Sequence, residues 1–225
     1  LASVRRKDRQ LDGGRRGEVE NETFCADSAV VTFVGRDIHP GYAKDKMIAS
    51  VKVAGSFLAL VPREGAPETT SGREGYTHPI AIKGNCSETE VTLLIRDFEL
   101  AELKPKADRI RGWAEQACAQ WPGSSCRVEI KEYYRNMKYD ISKEPRAMEY
   151  ALEAVKRAGM KPVLGLIRGG TDGSLFSTMS LIAGAGGEVL GAIGSSYTYD
   201  ALFTADAPDL VIAGFETLFG AGGGS

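Results

Sequence analysis

Residues 90–97 read Glu90-Val91-Thr92-Leu93-Leu94-Ile95-Arg96-Asp97. Val91, Leu93 and Ile95 fall on every second position, the period of a strand that buries one face. Just upstream, residues 79–83 place Ile80 and Ile82 on one face and Gly84-Asn85 turns the chain, so the two segments predict a hairpin. Further out, residues 29–34 set Ala29, Val31 and Phe33 against Val30, Thr32 and Val34, which predicts another strand. Between that strand and the hairpin, Met47, Val51, Ala54, Leu58 and Val61 recur at spacings of four and three until Pro62, the pattern of an amphipathic helix. Pro67, Gly72 and Gly75 then mark a long loop. Beyond the hairpin, Leu103, Ala107, Ile110, Ala114 and Ala117 draw a second helical stripe that Trp121-Pro122-Gly123 ends, and residues 127–133 are strand-like. Strand, helix, strand, strand, helix, strand is the order of a ferredoxin-like βαββαβ unit, in which both helices cover one face of a four-stranded antiparallel sheet. The unit is placed at residues 26–136.

The flanks read differently. Pro145 can open a helix, Ala147, Ala151, Ala154 and Ala158 form its stripe, and Gly159 can end it. Residues 162–167 are a short apolar strand running into Arg168-Gly169-Gly170-Thr171-Asp172-Gly173. Helix, strand and glycine turn in succession predict a separate α/β domain, and the whole chain is assigned to the α/β (α+β) class. From about residue 181 the sequence is rich in Gly and Ala and supports no element assignment.

Of the 225 residues 43% are hydrophobic, enough for a buried core. The 28 basic and 30 acidic side chains nearly cancel, so no global field favours nucleic acid or an anionic membrane. No segment approaches the roughly 20 apolar residues that span a bilayer, and residues 1–16 lack a secretory apolar stretch. Cys25, Cys86, Cys118 and Cys126 contain no CxxC pair and are too few to staple a chain this long, so reduced thiols and a cytoplasmic location are expected. A first residue of Leu and a closing Gly-Ala-Gly-Gly-Gly-Ser lead to the expectation of a fragment.

Four residues are candidates for chemistry. Arg168 precedes a glycine turn where backbone can approach a ligand and a guanidinium can clamp an anion; the same turn can equally be a strand-to-helix connection capped by Thr171 or Asp172. His39, between a strand and Pro40-Gly41, can donate to a substrate oxygen or simply be a solvated loop side chain. Asp12, before Gly13-Gly14, fits a metal ligand or a turn. Asn136 lies in the tract Tyr133-Tyr134-Arg135-Asn136-Met137, which ends a strand with polar groups of fixed reach and whose aromatic residues can complete a core. The basic run Arg5, Arg6, Lys7, Arg9, Arg15 and Arg16 has no aromatic interleaving for nucleic acid.

Taken together, the segments Leu11-Asp12-Gly13-Gly14, Gly35-Arg36-Asp37-Ile38-His39-Pro40-Gly41-Tyr42-Ala43-Lys44, Glu68-Thr69-Thr70-Ser71-Gly72-Arg73-Glu74-Gly75, Ile95-Arg96-Asp97-Phe98, Tyr134-Arg135-Asn136-Met137 and Ile167-Arg168-Gly169-Gly170-Thr171-Asp172-Gly173 resemble the peptidase T family in order and spacing. The likeness covers about residues 11–175. It implies a metal-dependent aminopeptidase that releases the N-terminal residue of tripeptides, with two zinc ions in a catalytic domain and a ferredoxin-like lid inserted into it that makes a homodimer. On that resemblance residues 1–25 and 137–225 are parts of the catalytic domain and 26–136 the lid. Asp12 matches a carboxylate on one zinc, and His39 a lid histidine that reaches the neighbouring subunit's site and polarises the scissile carbonyl. Arg168 and Asn136 match residues lining the substrate site, where they hold the peptide carboxylate.

The departures carry equal weight. The family uses a His-x-Asp pair, a paired-glutamate motif and a late histidine, whereas this chain has only His39 and His78, neither followed two residues on by Asp, and no Glu-Glu. One matched aspartate cannot hold two zinc ions, so the chain alone is expected to be inactive. The alternatives are a non-catalytic dimerisation or binding module derived from that family, or a related metal-dependent deacylase or carboxypeptidase sharing the lid.

Overall fold

The computed structural model describes residues 17–143 and 145–171. Along them lie β1 (Glu18–Thr23), β2 (Cys25–Val34), α1 (Ser50–Leu60), β3 (Tyr76–Gly84), β4 (Glu88–Asp97), α2 (Leu103–Ala119), β5 (Ser125–Tyr134), α3 (Lys138–Ile141), α4 (Pro145–Arg157) and β6 (Val163–Ile167). Contacts divide the chain into two units: one runs Phe24–Tyr134, and the described residues of the other are 17–23 with 135–143 and 145–171. Among the described residues no helix is long and apolar enough to cross a membrane.

In the first unit the four strands lie in the order β3-β4-β2-β5, every neighbouring pair antiparallel. With α1 between β2 and β3 and α2 between β4 and β5, this is the ferredoxin-like arrangement. Ala29, Val31 and Phe33 of β2 and Leu93 and Ile95 of β4 are all 0% exposed, which is the alternation expected of a sheet covered on one face. Against them α2 lays Leu103, Ala107, Ile110, Ala114 and Ala117, all buried. The α2 stripe also carries a cation: Lys106 Nζ donates to Asp97 Oδ2 at 2.5 Å, with both side chains only 10% exposed.

The first helix is shifted and rotated from its expected position. It begins at Ser50 rather than Met47, and its buried residues are Ser50, Val53, Ala54 and Phe57, while Val51 is 40% exposed. Two stripes share Ala54, and the one that includes the Phe57 ring wins because it buries the larger apolar area; that ring lies 5.3 Å from Phe33. Strand β3 also differs from simple alternation. Its register with β4 slips between Pro79 and Ala81, so Ile80 is a bulged residue and both Ile80 and Ile82 remain about half exposed, at 50% and 51%.

In the second unit β1 pairs with β6 in parallel, Glu18 opposite Val163 and Thr23 opposite Ile167. Helix α4 ends where Gly159 takes a φ of +74°, a left-handed position suited to glycine, and Met160 N–H returns to Val155 O at 3.1 Å. Strand β1 carries no apolar alternation in its sequence. Glu18, Glu20 and Glu22 obscure the strand pattern, yet Glu20, Glu22 and Thr23 are buried alongside Val19.

Candidate functional site

The His39 loop is built from its neck. Arg36 and Ile48 form an antiparallel bridge, with Arg36 N–H on Ile48 O at 2.8 Å and Ile48 N–H on Arg36 O at 3.0 Å. Gly35 sits under this neck so tightly that a Cβ there would lie 2.1 Å from Ile48 O. The β3–β4 turn braces the same point: Ser50 N–H donates to Cys86 O at 2.9 Å, and Ser50 Oγ–H donates to Asn85 O at 2.7 Å. Closing the neck this way presents the intervening residues to solvent on a fixed base.

Within the loop, residues 40–42 form a single 3-10 turn with His39 as its cap. Gly41 N–H donates to His39 Nδ1 at 3.2 Å, and Tyr42 N–H donates to His39 O at 2.8 Å. The Tyr42 ring lies 5.6 Å from the imidazole and is itself 74% exposed. An imidazole nitrogen that accepts from a backbone N–H carries no proton, so neutral His39 is the Nε2–H tautomer. The exposed nitrogen is thus a hydrogen-bond donor, the form that can stabilise a developing carbonyl oxyanion.

Asn136 and Arg168 come to one end of the β1/β6 pair in the second unit. Asn136 is 1% exposed, and its Oδ1 accepts from Thr23 N–H and from Lys138 N–H, each at 3.0 Å. Thr23 Oγ1 accepts in turn from Met137 N–H at 3.1 Å. Because Thr23 pairs with Ile167, this clip ends next to the half-buried Arg168. The carboxyl ends of parallel strands are where α/β folds bind ligands. Thr23, hidden from sequence reasoning inside an acidic stretch, is the residue that joins the two. Lys138 adds an ion pair to Glu22 at 2.7 Å.

His39 belongs to the Phe24–Tyr134 unit and the Asn136–Arg168 pair to the other. Asp12, and Asp172-Gly173 at the end of the glycine turn, lie outside the described residues. Among the described residues no group of three or more His, Cys, Asp or Glu is gathered to hold a metal ion.

Known proteins match most of the chain. Residues 21–122 match the family model of the peptidase dimerisation domain. Over 171 residues, 76% of its length, the chain is 39% identical to Peptidase T of Clostridium perfringens and 40% identical to Peptidase T of Clostridium acetobutylicum. This chain is a relative of peptidase T. It spans 42% of the length of each of those two proteins. Among solved structures, aminopeptidase PepT from Bacillus cereus superposes with a TM-score of 0.61 at 17% identity, over 81% of this chain and 54% of that one. A tripeptidase from Staphylococcus aureus gives 0.60 at 14% identity, over 75% and 44%. A hydantoinase/carbamoylase family amidase from Burkholderia vietnamiensis gives 0.58 at 15% identity, over 83% and 43%. At such identities these structures show a shared fold, and the peptidase T likeness rests on the sequence matches.

Proposed function

We propose that this chain supplies the dimerisation lid of a cytoplasmic tripeptide aminopeptidase and presents His39 Nε2–H to the active site of a second copy. The observation that carries the reading is the commitment of His39 Nδ1 to Gly41 N–H on a clamped, exposed loop of a peptidase dimerisation domain. A donor so held can polarise the carbonyl of a scissile peptide without first reorganising. Arg168 and Asn136, in the other unit, serve substrate binding. The arginine takes the peptide carboxylate as a charge-assisted pair, and Asn136 holds the strand end that carries it.

The two zinc ions implied by the family find no gathered ligand set among the described residues, and Asp12 lies outside them. Because the sequence lacks the family's His-x-Asp and Glu-Glu motifs, the chain by itself is expected to be inactive.

Pairing of two copies is supported by the contrast between the two edges of the sheet. Edge strand β5 carries Arg127, Glu129 and Lys131, charges that block edge-to-edge association. Edge strand β3 offers the half-exposed Ile80 and Ile82, and it is the edge that joins a second copy.

A mixed-dimer experiment tests the function. The chain is combined with a full-length peptidase T whose matching lid histidine has been replaced by alanine. Tripeptide hydrolysis should rise on mixing, and should not rise with the His39→Ala form of this chain. Equal effects of both forms would remove the role assigned to His39.

A further inference from the structure

On the helix-covered side of the dimerisation domain, a cavity of about 120 Å³ opens between α2, the segment that follows α1 and the start of β3. Lys106, Arg109 and Trp113 line it from α2, where spacings of three and four put them on one face, a turn apart. Glu64 and Gly65 line it from the segment after α1, and Thr77 from β3. All of these residues belong to the Phe24–Tyr134 unit, so the cavity needs no contribution from the other. Its walls are tied down. Thr77 N–H donates to Gly65 O at 2.9 Å, Thr69 Oγ–H donates to Arg63 O at 2.7 Å next to Glu64, and Trp113 packs against the core.

The charges around the cavity are used differently. Lys106 is committed to Asp97 in a buried pair that is neutral as a whole. Arg109 and Glu64 are exposed, and among the described residues neither holds a hydrogen bond or an ion pair. They line one cavity without bonding to each other, so the guanidinium keeps all its N–H donors and the carboxylate both its oxygens. A simple anion gains little there, because Glu64 offsets the field of Arg109, and a simple cation meets the converse. A molecule that carries both charges satisfies both groups.

We propose that this cavity binds a small zwitterion, a free α-amino acid with a short side chain, whose carboxylate pairs with Arg109 and whose ammonium pairs with Glu64. Pairing of a guanidinium with a carboxylate is charge-assisted and can be bidentate, which fixes the orientation of the ligand. Thr77 is 8% exposed, and its hydroxyl holds no partner among the described residues, so β3 offers one further hydrogen bond. Trp113 supplies an apolar wall. The volume sets the size of the ligand: about 120 Å³ is the room of roughly four waters, which admits glycine or alanine and excludes a tripeptide.

The test is a nitrogen–proton NMR titration of the full chain with glycine, with acetate and methylammonium as probes that carry one charge each. Glycine should move the Trp113 indole signal and the Gly65 and Thr77 amide signals along saturating curves. Acetate and methylammonium should each bind at least about tenfold more weakly. Arg109→Gln and Glu64→Gln each remove one charged partner at an exposed position, so both variants should fold, and each should weaken glycine binding about tenfold. Absence of a saturable shift with glycine would overturn the proposal, as would acetate binding as tightly as glycine, or either variant keeping the affinity of the parent.

Discussion

Gly41 N–H donates to His39 Nδ1 at 3.2 Å, and through that one bond the backbone decides which imidazole nitrogen faces outward. A histidine whose Nδ1 already serves as acceptor offers solvent a donor, whereas a metal ligand or a general base needs a bare nitrogen there.

The tautomer can be read directly. Long-range nitrogen–proton NMR spectra of neutral His39 should show the proton on Nε2, while His78 provides an internal comparison. A dominant Nδ1–H form at His39 would break the link between the loop and the proposed chemistry. Because His39 is exposed, His39→Ala should change unfolding stability by no more than about 0.5 kcal/mol.

Asn136 behaves otherwise. Its oxygen satisfies two backbone donors from a side chain that is 1% exposed, so Asn136→Ala leaves Thr23 and Lys138 N–H without that acceptor. A loss of about 1–3 kcal/mol is expected for a buried group left unsatisfied. Hydrogen exchange at the Thr23 and Lys138 amides should speed up before exchange in the core of the other unit does. Unchanged protection at both amides would show that the clip does not hold the strand end.

How far the sequence discloses the molecule depends on how its apolar residues are spaced. Helix α2 is legible because Leu103, Ala107, Ile110, Ala114 and Ala117 form one stripe, and all five are buried. In α1 two stripes compete, and spacing alone cannot weigh the Phe57 ring against Val51. Strand β1 is obscured because burial of Glu20 and Glu22 depends on partners supplied from far along the chain. Likewise, the sequence can nominate His39, Asn136 and Arg168, but the Thr23 clip requires a strand pairing that no local pattern announces.

The competing helix stripes give a stability prediction. Phe57→Ala removes a fully buried ring in contact with Phe33 and should cost about 3–5 kcal/mol. Val51→Ala, on the exposed side, should stay within about 0.5 kcal/mol in chemical denaturation. Comparable losses at both positions would place the wrong face of α1 in the core.

A pH prediction follows from Cys126. Burial, and next the Cys118 thiol, push its pKa from 9.0 up to about 12. Since the folded value lies above the unfolded one, its contribution is fully present below pH 9.0 and is lost as the pH rises through about 12. Alkaline denaturation of the reduced chain should therefore be shallower for Cys126→Ala than for the parent over that window. Parallel curves would remove this thiol as the cause.

The proposed pairing of two copies through β3 is tested by the mass of the chain in solution, measured by analytical ultracentrifugation across a concentration series. The parent chain should sediment as a dimer, and the paired change Ile80→Lys with Ile82→Lys should yield a folded monomer with an unchanged circular dichroism spectrum. A parent that remains monomeric at every concentration, or a dimer that the two lysines leave intact, would contradict it.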